Sequence, residues 1–212
     1  MFQNFWVFLA AALVLALLPG PSIFYVSSRS LAAGKLEGLA SGAGTGIGGM
    51  VHVVAGTLGL SALVLASAKL FALLKLAGAV YLVWMGIGMI RAARRDAAAL
   101  QAVEQRPANP RRAVIDGVLV EALNPKTAAF FLAFLPQFVD LAHGHVALQF
   151  LLLGLVSVVL NTSADLAVAL AAGAVRGSLA GKGNAIMRVR QGAGGLLVVL
   201  GVDLLLTRRL AA

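Results

Sequence analysis

The chain has 212 residues, 60% hydrophobic and 12% charged, with a formal net charge of +9 and a mean hydropathy of +0.95. Soluble domains carry roughly 25% charged residues, so the composition excludes an ordinary water-soluble globule and predicts an all-α membrane protein. Cysteine is absent, which excludes disulfides and thiolate chemistry, and the basic residues sit between apolar runs, where they report topology rather than nucleic-acid binding.

A membrane-crossing helix needs about 20 apolar residues, and six stretches qualify. The first, Phe2–Ser28, is interrupted by Pro19-Gly20-Pro21. Met1-Phe2-Gln3-Asn4 has no basic residue and the run exceeds a signal peptide's apolar core of about 7–15 residues, so this helix is expected to be retained. The second runs from about Leu39 to Ala66 and is glycine-rich; the third is Leu70–Ile90. The segment Arg91–Arg112, charged and interrupted by Pro107 and Pro110, reads as a solvated linker. The fourth stretch, Ala113–Val139, is interrupted by Asn124-Pro125-Lys126; the fifth is Val146–Val175 and the sixth Gln191–Thr207.

This order predicts six transmembrane helices in two three-helix repeats, residues 1–95 and 113–212, joined by a cytoplasmic linker at 96–112. With six spans, the first, third and fifth loops share a face that collects twelve lysines and arginines, against at most four opposite. The positive-inside rule puts the richer face in the cytoplasm and both termini outside; a five-span arrangement would move one terminus inside. Three spans per half make the repeats inverted. The third and sixth helices share a weak pattern, Gly86 with Gly201 and Arg94 with Arg209.

The two interruptions are the most informative feature. Proline removes a backbone donor and frees a carbonyl one turn back. Hydrocarbon cannot satisfy that carbonyl, so irregular backbone survives only inside protein or along a wet cavity. Paired breaks in corresponding halves point to a transporter's binding site. The helix beginning after Asn124 and Pro125 presents N–H groups suited to a carboxylate, and Lys126 adds a full charge. Pro19, Gly20 and Pro21 do the same in the first half, with Ser22 as cap or ligand.

A charge at the bilayer centre is costly and marks function by default. Lys126 lies roughly 20 Å into its helix, and Asp165 is well inside the fifth. Paired, they would bind substrate or protons, or simply lock two helices. Glu121 is either a proton carrier or amine ligand, or a residue at the cytoplasmic end paired with a loop arginine. His52 is either a proton relay or a neutral histidine bonded to a neighbour. Asn161, Thr162 and Ser163 line a cavity or glue helices, Asp203 pairs with Arg208 or Arg209, and Gly42–Gly46 and Gly44–Gly48 have the spacing of close helix packing. His143 and His145 lack a third ligand nearby and read as an outer loop, so no metal is expected.

At these residues the chain resembles the LysE/RhtB family of bacterial amino-acid exporters. The matching strings are Leu17-Leu18-Pro19-Gly20-Pro21, Val51-His52 with Leu58-Gly59-Leu60-Ser61-Ala62-Leu63, Ala77-Gly78-Ala79-Val80-Tyr81-Leu82, and Asn124-Pro125-Lys126 leading to Phe134-Leu135-Pro136-Gln137-Phe138-Val139. The resemblance implies a non-enzymatic secondary transporter of the bacterial inner membrane that exports amino acids or close derivatives by proton antiport, without a cofactor. Its motif residues carry over as Pro19, Gly20, Pro21, Asn124, Pro125 and Lys126, and Asp165 matches a recurrent acidic position. Where many relatives have an acidic residue before the apolar-His pair, this chain has Gly48-Gly49-Met50. The partners implied are an amino acid, protons and lipid, with a homodimer left open. The competing readings are a divalent-cation or other small-ion exporter, which would need more buried carboxylates, and a non-transporting membrane scaffold, which would not need paired breaks.

Overall fold

The computed structural model describes residues 5–60, 68–140, 142–175 and 183–206, and every regular element among them is helical. Helix α1 is Phe5–Leu17 and α2 is Pro21–Ala33, bent by 44° from α1 at the Pro19-Gly20-Pro21 break. Helix α3 is Lys35–Ala55, continued by a π turn, Gly56–Leu60. Helix α4 is Ala68–Gln101 and α5 is Pro110–Ala122. After the second break come α6, Pro125–Ala129, a π turn at Phe130–Phe134 and a 3-10 turn at Leu135–Phe138. Helices α7, Val146–Ala174, and α8, Gly183–Leu206, complete the described chain.

Four of these segments are long and apolar enough to cross a membrane, and the bent α1–α2 pair makes a fifth. Helix α3 and its π turn cover most of the expected second span but are not among these segments, so the described residues support up to five spans rather than the expected six; the last residues of that stretch, with Lys182, Arg208 and Arg209, lie outside the described chain. Large apolar side chains cover the surface: Trp6, Leu123 and Trp84 are 77, 78 and 67% exposed. Water would penalise such a surface, whereas acyl chains match it. The protein is a multi-pass helical membrane protein.

The linker is shorter than its charges suggest. Residues 91–101 continue α4 as an alanine-rich helix, and only residues 102–109 connect to α5. Alanine and arginine are strong helix formers, and Asp96 on this extension pairs with Arg190 of α8.

Glycine sets the packing around α3. A Cβ on Gly44 or Gly48 would meet the backbone oxygens of Val114 and Val118 on α5 at 2.3 and 2.4 Å. On the neighbouring stripe, Gly46 rests on Thr162 and Gly49 on Val158 of α7. Gly44 and Gly48 therefore let the backbones of α3 and α5 approach closely, while Gly42, Gly46 and Gly49 seat side chains of α7, which holds Thr45 between α5 and α7. Helices α4 and α8 form a second close pair, where a Cβ on Gly86 would meet Gly194 O at 2.5 Å and one on Gly201 would meet Ala79 O at 2.8 Å. An apolar core of Phe8, Leu15, Phe131, Phe150 and Leu153 fills the centre.

Candidate functional site

The two breaks meet. Pro19 has no N–H, so Leu15 O loses its α-helical donor and keeps only a tighter bond from the Leu18 N–H at 3.2 Å. Lys126, 108 and 111 residues away along the chain, reaches across from α6 and donates through Nζ to Leu18 O and Leu15 O, both at 3.0 Å. Gly20 makes room for it, since a Cβ there would lie 3.0 Å from Lys126 Cδ and 3.1 Å from Cε. A cation at the carbonyl end of α1 also complements its helix dipole.

The second break is satisfied in the same way. Pro125 cannot donate to Glu121 O, and that oxygen instead accepts from His52 Nε2 of α3 and from the Asn124 N–H, both at 2.9 Å. A carbonyl only accepts, so Nε2 carries the proton. Asn124 Oδ1 caps α6 by accepting from the Lys126 N–H at 3.0 Å, and Nδ2 donates to Glu121 Oε2 at 2.7 Å. Thr127 donates to the other Glu121 oxygen at 2.6 Å. Glu121 is 4% exposed and bonded wholly to its own break, not to a loop arginine. The alternative of an end residue paired with a loop arginine does not hold.

Asp165 is 3% exposed and accepts from Thr45 Oγ1 at 2.7 Å. It makes no ion pair with Lys126, whose ammonium faces the α1 carbonyls instead. The two charges flank neighbouring cavities. One is lined by Asp165, Glu121, Thr45 and Thr162, and the other by Lys126, Leu15, Ala12 and Phe130; Thr127 and Asn161 border both. Each offers about 10 Å³, roughly the space of one water molecule.

The geometry thus brings together Pro19, Gly20, Asn124, Pro125 and Lys126, with Glu121 and His52 attached through Asn124 and the break, and Asp165 beyond Thr127. Ser22 is buried but is not the cap, because the position before α2 is Gly20, which makes no side-chain cap. Thr45 and Thr127 are additions that the sequence did not flag. Hydroxyl residues abound in membrane helices, and only the acidic partner distinguishes these. His143 does lie in a loop, where its Nδ1 is 2.7 Å from Asp140 Oδ2.

A many-helix membrane protein whose two helix breaks are joined by a buried lysine, beside buried carboxylates, has the build of a small-molecule transporter. The chain belongs to the LysE type translocator family, whose profile matches residues 13–208. It is 36% identical over 155 residues to an uncharacterized membrane protein of Vibrio cholerae, covering 73% of each chain. It is 34% identical over 158 residues to an uncharacterized membrane protein of Pseudomonas aeruginosa, covering 72% of each. A leucine efflux protein of Klebsiella pneumoniae is 30% identical over 155 residues, covering 72% of this chain and 71% of the relative. No solved structure matches the chain.

Proposed function

We propose that this protein exports amino acids or close derivatives from the cytoplasm across the bacterial inner membrane by proton antiport. The observation that carries the reading is the Lys126 bridge between the two breaks, placed beside buried Asp165 and Glu121. The leucine efflux proteins among its relatives support the substrate class.

In the mechanism we infer, the helix breaks are the moving parts. The Lys126 ammonium has three donors, and two are engaged by Leu15 O and Leu18 O. A substrate carboxylate takes the remaining donor and then competes for the others, which loosens α1 from α6. Asp165 holds the transported proton or the substrate's ammonium, with Thr45 donating to the ionised form. Water-sized cavities on both sides of Thr127 and Asn161 fit an occluded state, in which neither side has a continuous path. A cation exporter fits less well, because the lysine would repel its cargo.

The test is efflux of labelled amino acids from proteoliposomes containing the purified protein. The reading expects saturable export of leucine or a similar amino acid, accelerated by an inward proton gradient. Export that no amino acid competes for would reject it.

A further inference from the structure

Beside the breaks lies a much larger space. An open cleft of about 430 Å³ separates α2 from α4 and α8, within the roughly 300–1,000 Å³ of small-molecule pockets. Its floor includes Gly20, Pro21 and Pro125, so it abuts both breaks. Its walls are apolar and aromatic, with Phe24, Tyr81 and Met85 prominent. One end carries charge: Arg190 Nη2 of α8 meets Asp96 Oδ2 of α4 at 2.5 Å, and their side chains are only 12 and 15% exposed. The guanidinium also lies 5.2 Å from the centre of the Phe24 ring.

A clamp between α4 and α8 is an insufficient reason for this pair. Those helices are already held by backbone approach at Gly86, Gly194 and Gly201. Arg190 Nε, moreover, is buried without a hydrogen-bond partner. A buried donor left unmade is expensive, and an arginine presents its donors as a fork that matches a carboxylate. The cleft's lining therefore includes an arginine with an unspent donor, its neighbouring carboxylate and an apolar wall. Those three features complement the carboxylate, ammonium and side chain of an amino acid.

Building on the export reading, we propose that this cleft is an access site for the zwitterion of an apolar α-amino acid. Arg190 takes the α-carboxylate, Asp96 the α-ammonium, and Phe24, Tyr81 and Met85 the side chain. The site hands its occupant to the adjoining break at Gly20 and Pro125. Its charged end belongs to the arginine-rich face assigned to the cytoplasm, on the side from which an exporter loads.

The test is binding of labelled leucine to the purified full-length protein in nanodiscs, with leucinamide, 4-methylpentanoate and alanine as competitors. The proposal expects Arg190→Gln to weaken leucine at least 10-fold and to erase the preference for leucine over leucinamide. Asp96→Asn should erase the preference for leucine over 4-methylpentanoate. Phe24→Ala, which leaves the charged pair in place, should shrink the preference for leucine over alanine. A merely structural pair would shift thermal stability and leave these preferences unchanged, and unchanged preferences in folded variants would overturn the proposal. If wild-type protein exports leucine while all three variants keep its selectivity, only the access site falls; if wild-type protein neither binds nor exports any amino acid, the export reading falls with it.

Discussion

Lys126 Nζ lies 3.0 Å from Leu15 O, the carbonyl that Pro19 deprives of its α-helical (i+4) donor. The relationship is between two interruptions that are remote in sequence, and it makes each break a condition of the other. Replacing Lys126 by Met leaves Leu18 O without a donor and Leu15 O with only the Leu18 N–H, in a medium without water. Each unsatisfied buried group costs about 1–3 kcal/mol. Lys126→Met should lower the unfolding free energy in detergent by about that amount or more, while Lys126→Arg should retain part of the bridge. Equal stability of Lys126→Met and wild type would remove the bridge from the account.

Gly20 tests the same contact without removing the charge. Its φ of -94° is open to any residue, so alanine adds no backbone strain. The new Cβ would press on Lys126 Cδ and Cε, and overpacking costs typically about 1–3 kcal/mol. A flexible lysine stem can yield, so the cost should fall at the low end. Transport should suffer more than stability, measured as initial efflux rate against melting temperature.

His52 offers a clean choice between capping and proton relay. If its task is to satisfy Glu121 O, His52→Gln keeps a donor and should preserve folding and much of the transport. His52→Leu leaves Glu121 O with the Asn124 N–H alone and should destabilise the protein by about 0.5–1.5 kcal/mol. Loss of proton coupling in a well-folded His52→Gln protein would instead assign the relay.

How much of this was legible in the sequence depends on what each contact requires. Pro19-Gly20-Pro21 and Asn124-Pro125-Lys126 are visible because proline has only one backbone repertoire. The glycine stripes of α3 are visible because small residues at four-residue spacing have few other uses in a membrane helix. The partner of Lys126 was not visible. The natural expectation for a buried lysine is an acid, and Asp165 was available. A main-chain oxygen acceptor leaves no mark on residue identity, and its position depends on how α1 and α6 cross. The same holds for His52 and Glu121 O. The continuation of α4 to Gln101 was hidden because arginines that look solvated also favour helix, and nothing in residue identity separates Arg190 from the other basic residues between apolar runs.

The glycine contacts predict a graded response. A Cβ on Gly44 would sit 2.3 Å from a backbone oxygen that cannot move aside, so Gly44→Ala should destabilise markedly, by several kcal/mol if the helices cannot separate. Gly195, with nothing near its would-be Cβ, should accept alanine and gain up to about 1 kcal/mol of helix propensity. Detergent melting curves of the two variants would show opposite shifts.

The loop before α7 carries a pH signature. Burial alone would raise the Asp140 carboxyl, but His143 and the Ala142 N–H outweigh it and hold its pKa below the ordinary aspartate value. A depressed native pKa stabilises the folded loop above the ordinary value of about 3.9. That contribution fades as pH falls through this value and is gone below the native pKa. His143→Ala should move the native pKa upward and shrink the contribution, read from carbon-detected titration of Asp140.

The central claim is that amino-acid export is coupled to protons through Asp165. The most direct measurement loads proteoliposomes with leucine, imposes an acid exterior, and records labelled leucine efflux together with internal pH. The account predicts that leucine efflux acidifies the interior in proportion to the amino acid released. In Asp165→Asn, leucine exchange should persist while gradient-driven efflux and acidification are lost. Leucine export with no proton movement, or undiminished coupling in Asp165→Asn, would contradict it.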